Sequence, residues 1–181
     1  MATRSKTAKK KLTSSQIKEQ TKKIQDAIDK HKRENRDEHF TSLTPEEIER
    51  KLKRTNSPMI VSQGWGSAPP GGTFNYTVGI QNPDPTGAFS LYVHVWVGSG
   101  NADPTVGTFL LNVDPRFPRL TQPGPFGVSL ASGASTTLAF AINVPTGIQK
   151  SNYLGNSCLM RVDYHDVGQY LDRGCFPFTV T

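Results

Sequence analysis

The densest group of titratable side chains in the last two thirds of the sequence is Asp163-Tyr164-His165-Asp166. In an extended strand alternate residues share a face, so Asp163 and His165 would lie together and Asp166 would begin the following turn. Two carboxylates and an imidazole could hold a hard or borderline metal ion, but a complete site needs another ligand that the sequence does not nominate. A polar strand end at the surface explains the same residues without a metal. We favour that interpretation and assign neither a metal site nor a cofactor.

Catalytic motifs give no stronger candidate. The sequence contains no Gly-x-Ser-x-Gly turn, no glycine-rich phosphate loop and no His-Glu-x-x-His motif. Catalytic triads can form from residues far apart in sequence, yet His94 and His165 are the only histidines after residue 57. We therefore predict that the protein is not an enzyme and name no catalytic residue. A leaderless effector with an unrecognised enzymatic site is the alternative.

The stretch Ser90–Gly98 is better suited to binding than to catalysis. With a period of two, one side carries Tyr92, His94 and Trp96, and the other carries Leu91, Val93, Val95 and Val97. If the aliphatic side faces a core, the first three form an exposed binding surface of the kind that marks an interface. Periodicity leaves three interpretations open. A partner covers the Tyr92 stripe, the chain's own N-terminal helix covers it, or the register is inverted and Trp96 lies in the core, as strand tryptophans of immunoglobulin domains often do.

The distribution of charge divides the chain near residue 57. Residues 1–57 contain 16 Lys/Arg and nine Asp/Glu, a net charge of +7, whereas residues 58–181 contain five and six, a net charge of −1. All 16 glycines lie in the second part, and the last glutamate lies in the first. The first part has the composition of helices and the second has that of strands and turns.

Residues 1–12 are predicted to be a disordered basic tail, because they carry too little apolar surface to offset the entropy of ordering. Its cations would suit an anionic partner, and nucleic acid or another anionic surface could bind through residues 1–36. A merely solubilising tail explains the same composition. The candidate contact residues are Arg4, Lys6, Lys9, Lys10 and Lys11.

Two helices are predicted in residues 13–56, which we interpret as a helical arm. The first spans about 14–37, since Thr13 can cap it and Gln16 completes a capping box. Its only branched apolar residues form a narrow stripe that suits docking on another body or on a second copy, and they are Ile17, Ile24 and Ile28.

The second helix is predicted at about 45–54, with a connection near 39–43. Thr44 can cap it, Pro45 fits its first position and Glu47 can complete a capping box. His31 and His39 lie among polar residues without ligand spacing, so we predict that both are solvated.

After residue 57 the apolar period changes from 3.6 to two. About eight short strands follow, separated by Gly/Pro turns, with no helical segment between them. They are predicted at 59–62, 73–80, 90–98, 108–113, 126–130, 138–144, 158–164 and 175–180. Regularly spaced strands of this kind indicate an antiparallel two-sheet sandwich of immunoglobulin-like size over residues 57–181.

The strand sequences carry a resemblance to a known family. GGTFNYTVGIQNP at 71–83 resembles the second strand of bacterial immunoglobulin-like modules of the CARDB kind. The stretch 131–145 resembles one of their later strands, and Phe176-x-Phe178-x-Val180 resembles their last. The resemblance covers residues 57–181 and implies a non-catalytic binding or spacer module. The basic helical arm and the lack of tandem repeats depart from that pattern.

The two cysteines are predicted to be free thiols. If Met160, Val162 and Tyr164 face inward, so does Cys158, whereas inward Phe176 and Phe178 would turn Cys175 outward. A bond between side chains on opposite faces would need a bulge in one of the strands. Two cysteines are also too few for a disulfide scaffold.

Together these features predict a structural or adaptor protein that anchors through its basic arm and presents a β-sandwich binding surface. We expect a protein partner or self-association, and no membrane span or classical secretion signal. A cytoplasmic location, or a particle assembled in the cytosol such as a virion or phage-tail-like structure, fits that expectation by analogy. Nucleic-acid binding through the N-terminal arm is the runner-up.

Overall fold

The computed structural model of the protein describes residues 11–99, 126–144, 146–147, 150–161 and 170–181. Within these ranges it has two helices, α1 (Ser14–Glu34) and α2 (Pro45–Arg54), and eight strands. The strands are β1 (His39–Ser42), β2 (Met59–Trp65), β3 (Thr73–Gln81), β4 (Phe89–Ser99), β5 (Phe126–Leu130), β6 (Ser135–Asn143), β7 (Ser151–Arg161) and β8 (Tyr170–Val180). The strand predicted at 108–113 lies outside the described residues.

The strands form two four-stranded antiparallel sheets that pack face to face. Sheet A has the order β1-β2-β3-β6, and sheet B has the order β5-β4-β7-β8. All of the pairings are antiparallel. The predicted fold class is therefore confirmed: the protein is mainly β, an immunoglobulin-like two-sheet sandwich preceded by helices.

The core between the sheets follows from the alternation of apolar residues along the strands. Sheet A contributes Phe74, Tyr76, Val78 and Ile80, and sheet B contributes Leu91, Val93 and Val95, all of them buried. Aromatic rings stack across the gap, with centroids 4.1 Å apart for Phe74 and Phe178 and 4.5 Å apart for Tyr76 and Phe176. The aliphatic side of β4 is the core side, so the inverted register is wrong.

Both helices begin where their capping residues predict. Thr13 and Gln16 form a complete capping box at α1, and Thr44 and Glu47 form another at α2. The first helix ends at Glu34, three residues before the predicted end, because Asn35 takes an extended backbone conformation. The chain therefore leaves the helix before His39, where strand β1 begins.

That strand, β1, corrects the prediction of a plain connection near 39–43. His39 to Ser42 pair antiparallel with Trp65 to Ser62 at the edge of sheet A. Phe40 and Leu43 pack against the apolar residues beneath the helices, and this contact holds the segment at the edge of sheet A. The stretch predicted as an arm therefore supplies one strand of the sandwich, a feature that four residues could not indicate by periodicity.

The faces of β7 are also opposite to the prediction. Leu159 lies in the core, while Cys158 and Met160 lie on the outer face of sheet B and are buried there too. Because Asn156 lies opposite Cys175, the two cysteines share that outer face as diagonal neighbours. Both are free thiols, as predicted, and only Cys175 is exposed.

Candidate functional site

Helices α1 and α2 pack on the outer face of sheet A, and we call them together the helical layer. A second apolar cluster, separate from the core between the sheets, joins them to Met59 and Val61 of β2. Its buried helical members are Ile17, Ile24, Ile28, Ile48 and Leu52. The three isoleucines predicted for helix docking thus pack against sheet A. The Tyr92 stripe belongs to β4 of sheet B, so these residues do not cover it.

The second helix is also tied to the other sheet by an ion pair. Lys51 Nζ donates to Asp172 Oδ1 at 2.8 Å and to Oδ2 at 2.6 Å. Asp172 Oδ2 also accepts from the Ile60 backbone N–H at 2.8 Å. Both charged side chains are partly buried, so this carboxylate links α2, β2 and β8 at one point. The sequence offered no sign of a contact between residues so far apart.

His31 lies at the C-terminal end of α1 and corrects the prediction that it is solvated. It is only 2% exposed. Its Nδ1 lies 2.7 Å from Ser62 Oγ, and its Nε2 lies 3.0 Å from Thr77 Oγ1. The Phe40 ring contacts its edge at a centroid distance of 5.1 Å. Both ring nitrogens therefore have partners on the sheet, and the helix end is fixed by polar contacts as well as apolar ones.

Two glycines in the strands leave room for the end of α1. A Cβ at Gly79 would collide with Ser62 Oγ and press on His31 Nδ1. A Cβ at Gly64 would collide with the side chains of Asn35 and Thr77. Glycine inside a strand often marks the close approach of another element. Glycines at these two strand positions are the signal in the sequence that an element docks on this face of sheet A.

The His31 and Ser62 pair has the spacing of a catalytic base and nucleophile, but its surroundings do not suit catalysis. Ser62 is 2% exposed and lies beneath the helical layer with His31. A substrate needs access to the nucleophile and donors to stabilise its developing charge. The second ring nitrogen contacts Thr77, whose hydroxyl donates towards Asn35 and Asp37 at 3.2 Å. We interpret this group as a structural contact between helix and sheet.

We expect the stability of the protein to fall on acidification through His31. Burial lowers the pKa of His31 below its ordinary value of 6.5, and the nearby Glu34 carboxylate opposes this only in part. The unfolded state therefore binds the proton more readily, so the stabilisation is present above about pH 6.5 and is lost as the pH falls towards the folded-state pKa. Burial also raises the pKa of Asp37. The folded state therefore binds that proton more readily, so Asp37 favours folding as the pH falls further.

Urea denaturation between about pH 7 and about pH 5.5 measures this dependence. His31→Gln keeps hydrogen-bonding capacity towards Ser62 and Thr77 but does not titrate, so its unfolding free energy should change less over that interval. If the unfolding free energies of the two proteins depended equally on pH, His31 would not be the group responsible.

The side of the helical layer that faces away from the sheet is cationic. Three ion pairs lie along it: Lys23 with Glu19, Arg50 with Glu47 and Lys53 with Glu49. A fourth, Lys30 with Glu34, lies at the margin where α1 meets sheet A. Other cations are exposed and have no ion-pair partner among the residues described: Lys11, Lys18, Lys22, Lys32, Arg33, Arg36 and Arg54. Of the predicted anionic-partner contacts, Lys11 belongs to this set, while Arg4, Lys6, Lys9 and Lys10 lie outside the described residues.

The predicted binding surface on β4 is described at one of its three side chains. Tyr92 lies on the outer face of sheet B and is partly buried. The backbones of His94 and Trp96 pair with Cys158 and Asn156 of β7. Their side chains lie outside the described part of the structure, so the role of this stripe stays a prediction.

Polar side chains cross the core between the two sheets, which the sequence did not indicate. The Tyr76 hydroxyl lies 2.8 Å from both Gln63 Oε1 and Ser157 Oγ. Gln63 Nε2 donates to the Cys175 carbonyl oxygen at 3.3 Å. All three side chains are buried, and burial raises the pKa of Tyr76 strongly, so its hydroxyl stays protonated. This group ties β2 and β3 to β7 and β8.

The remaining sequence candidates lie elsewhere. Asp163, His165 and Asp166 fall outside the described residues, and the residues that are described hold no group of three potential metal ligands. Over the same described ranges, neither helix is long and apolar enough to cross a membrane.

Comparison with known proteins shows the fold. No protein-family model and no curated protein matches the sequence. The C-terminal domain of wzt is similar in structure, with a TM-score of 0.52 at 11% identity, over 81% of this chain and 80% of that one. A CARDB domain of the PF1109 protein from Pyrococcus furiosus, in complex with di-metal ions, matches 68% of this chain and 90% of its own at 15% identity and a TM-score of 0.43.

Enzymes also occur among the similar structures. A cycloisomaltooligosaccharide glucanotransferase from Paenibacillus matches 64% of this chain at 14% identity and a TM-score of 0.42, but the match spans only 12% of that enzyme. At such identities the similarity concerns the fold and not the activity. The immunoglobulin-like sandwich agrees with the CARDB-like resemblance read from residues 57–181.

Proposed function

We propose that this protein is a non-enzymatic structural or adaptor protein. Its helical layer attaches to an anionic partner, and its sandwich presents a binding surface within a larger assembly. The single observation that carries the proposal is the orientation of the helical layer: its isoleucines face sheet A, and its unpaired cations face solvent. A cationic surface held on a rigid sheet offers a fixed array of charges to a partner.

The docking of the helices favours a role for the exposed cations in attachment to a partner, and not only in ion pairs within the helices. Lys18, Lys22 and Arg33 recur at intervals that place them on one side of α1, opposite the buried isoleucines. Asp26 and Asp29 are exposed on the same side of α1, four residues from Lys22 and from Arg33 respectively, and they lower its net positive charge. The tail adds four further cations in residues 1–10. Such a surface attracts a polyanion at low salt and loses it as salt screens the charges.

Charge reversal on this surface tests the proposal. We expect Lys22→Glu to weaken binding of the full chain to an anionic probe by about threefold to tenfold at low salt. The matched control is Lys150→Glu, which changes the net charge equally but lies on the sandwich, where Lys150 is exposed. Fluorescence anisotropy with labelled poly-glutamate and with a short DNA duplex reads out both classes of partner.

The two probes separate the proposal from its runner-up. Nucleic-acid binding predicts affinity for the duplex with a steep salt dependence, well above the affinity for poly-glutamate. An adaptor for acidic protein surfaces predicts comparable binding to both probes. Absence of binding to either probe, or equal losses for the Lys22 and Lys150 variants, would contradict attachment through the helical layer.

A further inference from the structure

A cleft opens at one end of the helical layer, between the start of α1 and the end of α2. Lys11 and Leu12, which precede α1, form one wall, and residues 52–56, which end α2 and follow it, form the other. Its volume is about 160 Å³. Because a cavity of about 150 Å³ can hold a molecule the size of benzene, the cleft has room for one apolar side chain.

The floor of the cleft is apolar. Leu52 is 2% exposed, and Leu12 is partly buried against the same apolar cluster, which joins the helices to β2. A ligand gains affinity by burying apolar surface against these two side chains, whereas a small polar ion gains nothing from them. The floor therefore favours a ligand that carries an apolar group.

Cations form the rim of the cleft. Lys11, Lys53 and Arg54 are exposed there, and no acid is among the described residues that line it. Lys53 Nζ lies 3.6 Å from Glu49 Oε2, whereas Lys11 and Arg54 have no ion-pair partner in the part of the chain that the structure describes. Two uncompensated positive charges therefore stand beside an apolar floor, and they favour a ligand that is also an anion.

A neutral polar side chain completes the walls. Asn56 is partly buried, and its Nδ2 donates to Asp84 Oδ2 at 3.2 Å. This bond orients the amide and leaves Asn56 Oδ1 to accept from a ligand N–H. The Asp84 carboxylate also accepts from the Thr86 and Gly87 backbone N–H groups, so its charge is engaged within its own loop. The cleft thus offers cations to an anion and an acceptor to a backbone amide.

We propose that the cleft binds the C-terminal residue of a partner protein. The α-carboxylate of that residue lies between Lys11 and Arg54, its apolar side chain on Leu12 and Leu52, and its backbone N–H against Asn56 Oδ1. The planar guanidinium of Arg54 can donate two parallel hydrogen bonds to a carboxylate. This inference rests on the proposed function, since it names the group of the anionic partner that the helical layer holds.

The chemistry of the cleft selects a chain terminus over other anions. At a C-terminus a carboxylate and an apolar side chain belong to the same residue, whereas aspartate and glutamate carry their charge on the side chain itself. A phosphate of a nucleic acid would place polar oxygens against Leu12 and Leu52, which offer them no hydrogen bond. A long acyl chain would not fit a volume of about 160 Å³.

NMR titration of the isotopically labelled full chain with short uncharged-side-chain peptides tests the proposal. We expect a peptide that ends in leucine with a free carboxylate to bind at least about fivefold more tightly than its C-terminal amide. It should also bind more tightly than the free acid of a peptide that ends in glycine, which lacks the apolar side chain. The backbone amide signals that shift should be those of Lys11, Leu12 and residues 52–56.

The variant Lys11→Gln/Arg54→Gln removes the two unpaired charges of the rim and keeps long polar side chains in their place. It should abolish the preference for the free carboxylate. Lys32→Gln/Arg36→Gln is the matched control, because it removes two exposed cations at the other end of α1. The control should keep the preference, since it leaves the cleft unchanged.

The outcomes separate this inference from the proposed function. A preference for the free carboxylate that only the cleft variant loses would support the site, and it would do so even if poly-glutamate failed to bind the wider cationic surface. Equal affinity for acid and amide, or signal shifts confined to other residues, would overturn the site, even if poly-glutamate binding upheld the proposed attachment. Binding of a DNA duplex at the cleft without binding of the peptides would overturn it in favour of a phosphate.

Discussion

Ile24→Ala is expected to lower the free energy of unfolding of the whole protein by about 2–5 kcal/mol. Ile24 lies in the middle of α1, is 0% exposed and belongs to the apolar cluster with Met59 and Val61 of β2. Alanine favours the helix itself, so any loss reports the packing against the sheet. Urea denaturation followed by circular dichroism and by tryptophan fluorescence measures the change.

Lys22→Ala is the matched control for this variant. Lys22 lies two residues away on the same helix and is exposed, so the same kind of truncation should change stability by less than about 0.5 kcal/mol. If Ile24→Ala shifted the helical signal alone and left the tryptophan transition in place, α1 would be an accessory to the sandwich and not a layer of its fold.

Gly155→Ala is expected to destabilise the sandwich by about 3 kcal/mol, near the upper end of the usual cost of overpacking. Gly155 of β7 lies directly opposite Phe176 of β8, and a Cβ there would overlap the phenyl ring. Two neighbours hold the ring in place: it stacks on Tyr76 at 4.5 Å and contacts Trp65 at 5.5 Å between ring centroids. Thermal or chemical denaturation gives the measurement.

Gly147→Ala provides the control for that change. Among the described residues, no atom lies within 4 Å of a Cβ built at Gly147, so the substitution should have little effect on packing. The double variant Gly155→Ala/Phe176→Leu should recover part of the lost stability, since the smaller side chain relieves the overlap. Stability unchanged by Gly155→Ala would show that the two sheets are packed less tightly around Phe176 than described.

The sandwich was predictable because one face of each of several strands is buried and the other is polar. Phe74, Tyr76 and Val78 alternate with exposed or partly exposed polar residues in β3, and that contrast gives period two. The helix starts were predictable for a similarly local reason, since Thr13 and Thr44 cap through residues three positions away. Signals of this kind depend only on neighbours in sequence.

The predictions failed where burial comes from a distant element. Every residue of β2 is buried, because the core covers one face and the helical layer covers the other, so its sequence shows no alternation. Cys158 and Leu159 are likewise buried on opposite faces of β7, and the wrong one was assigned to the core. His31 looked solvated because its partners, Ser62 and Thr77, lie 31 and 46 residues away.

For the helical layer, the sequence predicted which residues dock but not the surface on which they dock. Ile17, Ile24 and Ile28 were identified as a docking stripe from spacing alone, but the surface they meet is sheet A and not β4. Choosing between the two sheets required Gly64 and Gly79, whose missing side chains make room for the end of α1. The cationic side of the helical layer then follows, because the remaining faces of an amphipathic helix must point to solvent.

Native-state hydrogen exchange on the full chain tests the union of helical layer and sandwich most directly. If the two are one body, the amides of α1 around Ile24 and Ile28 should exchange through the same opening as those of β3 around Tyr76 and Val78, with the same dependence on denaturant. Exchange of the α1 amides through a separate, low-energy opening, while β3 stays protected, would show a detachable arm and contradict the account.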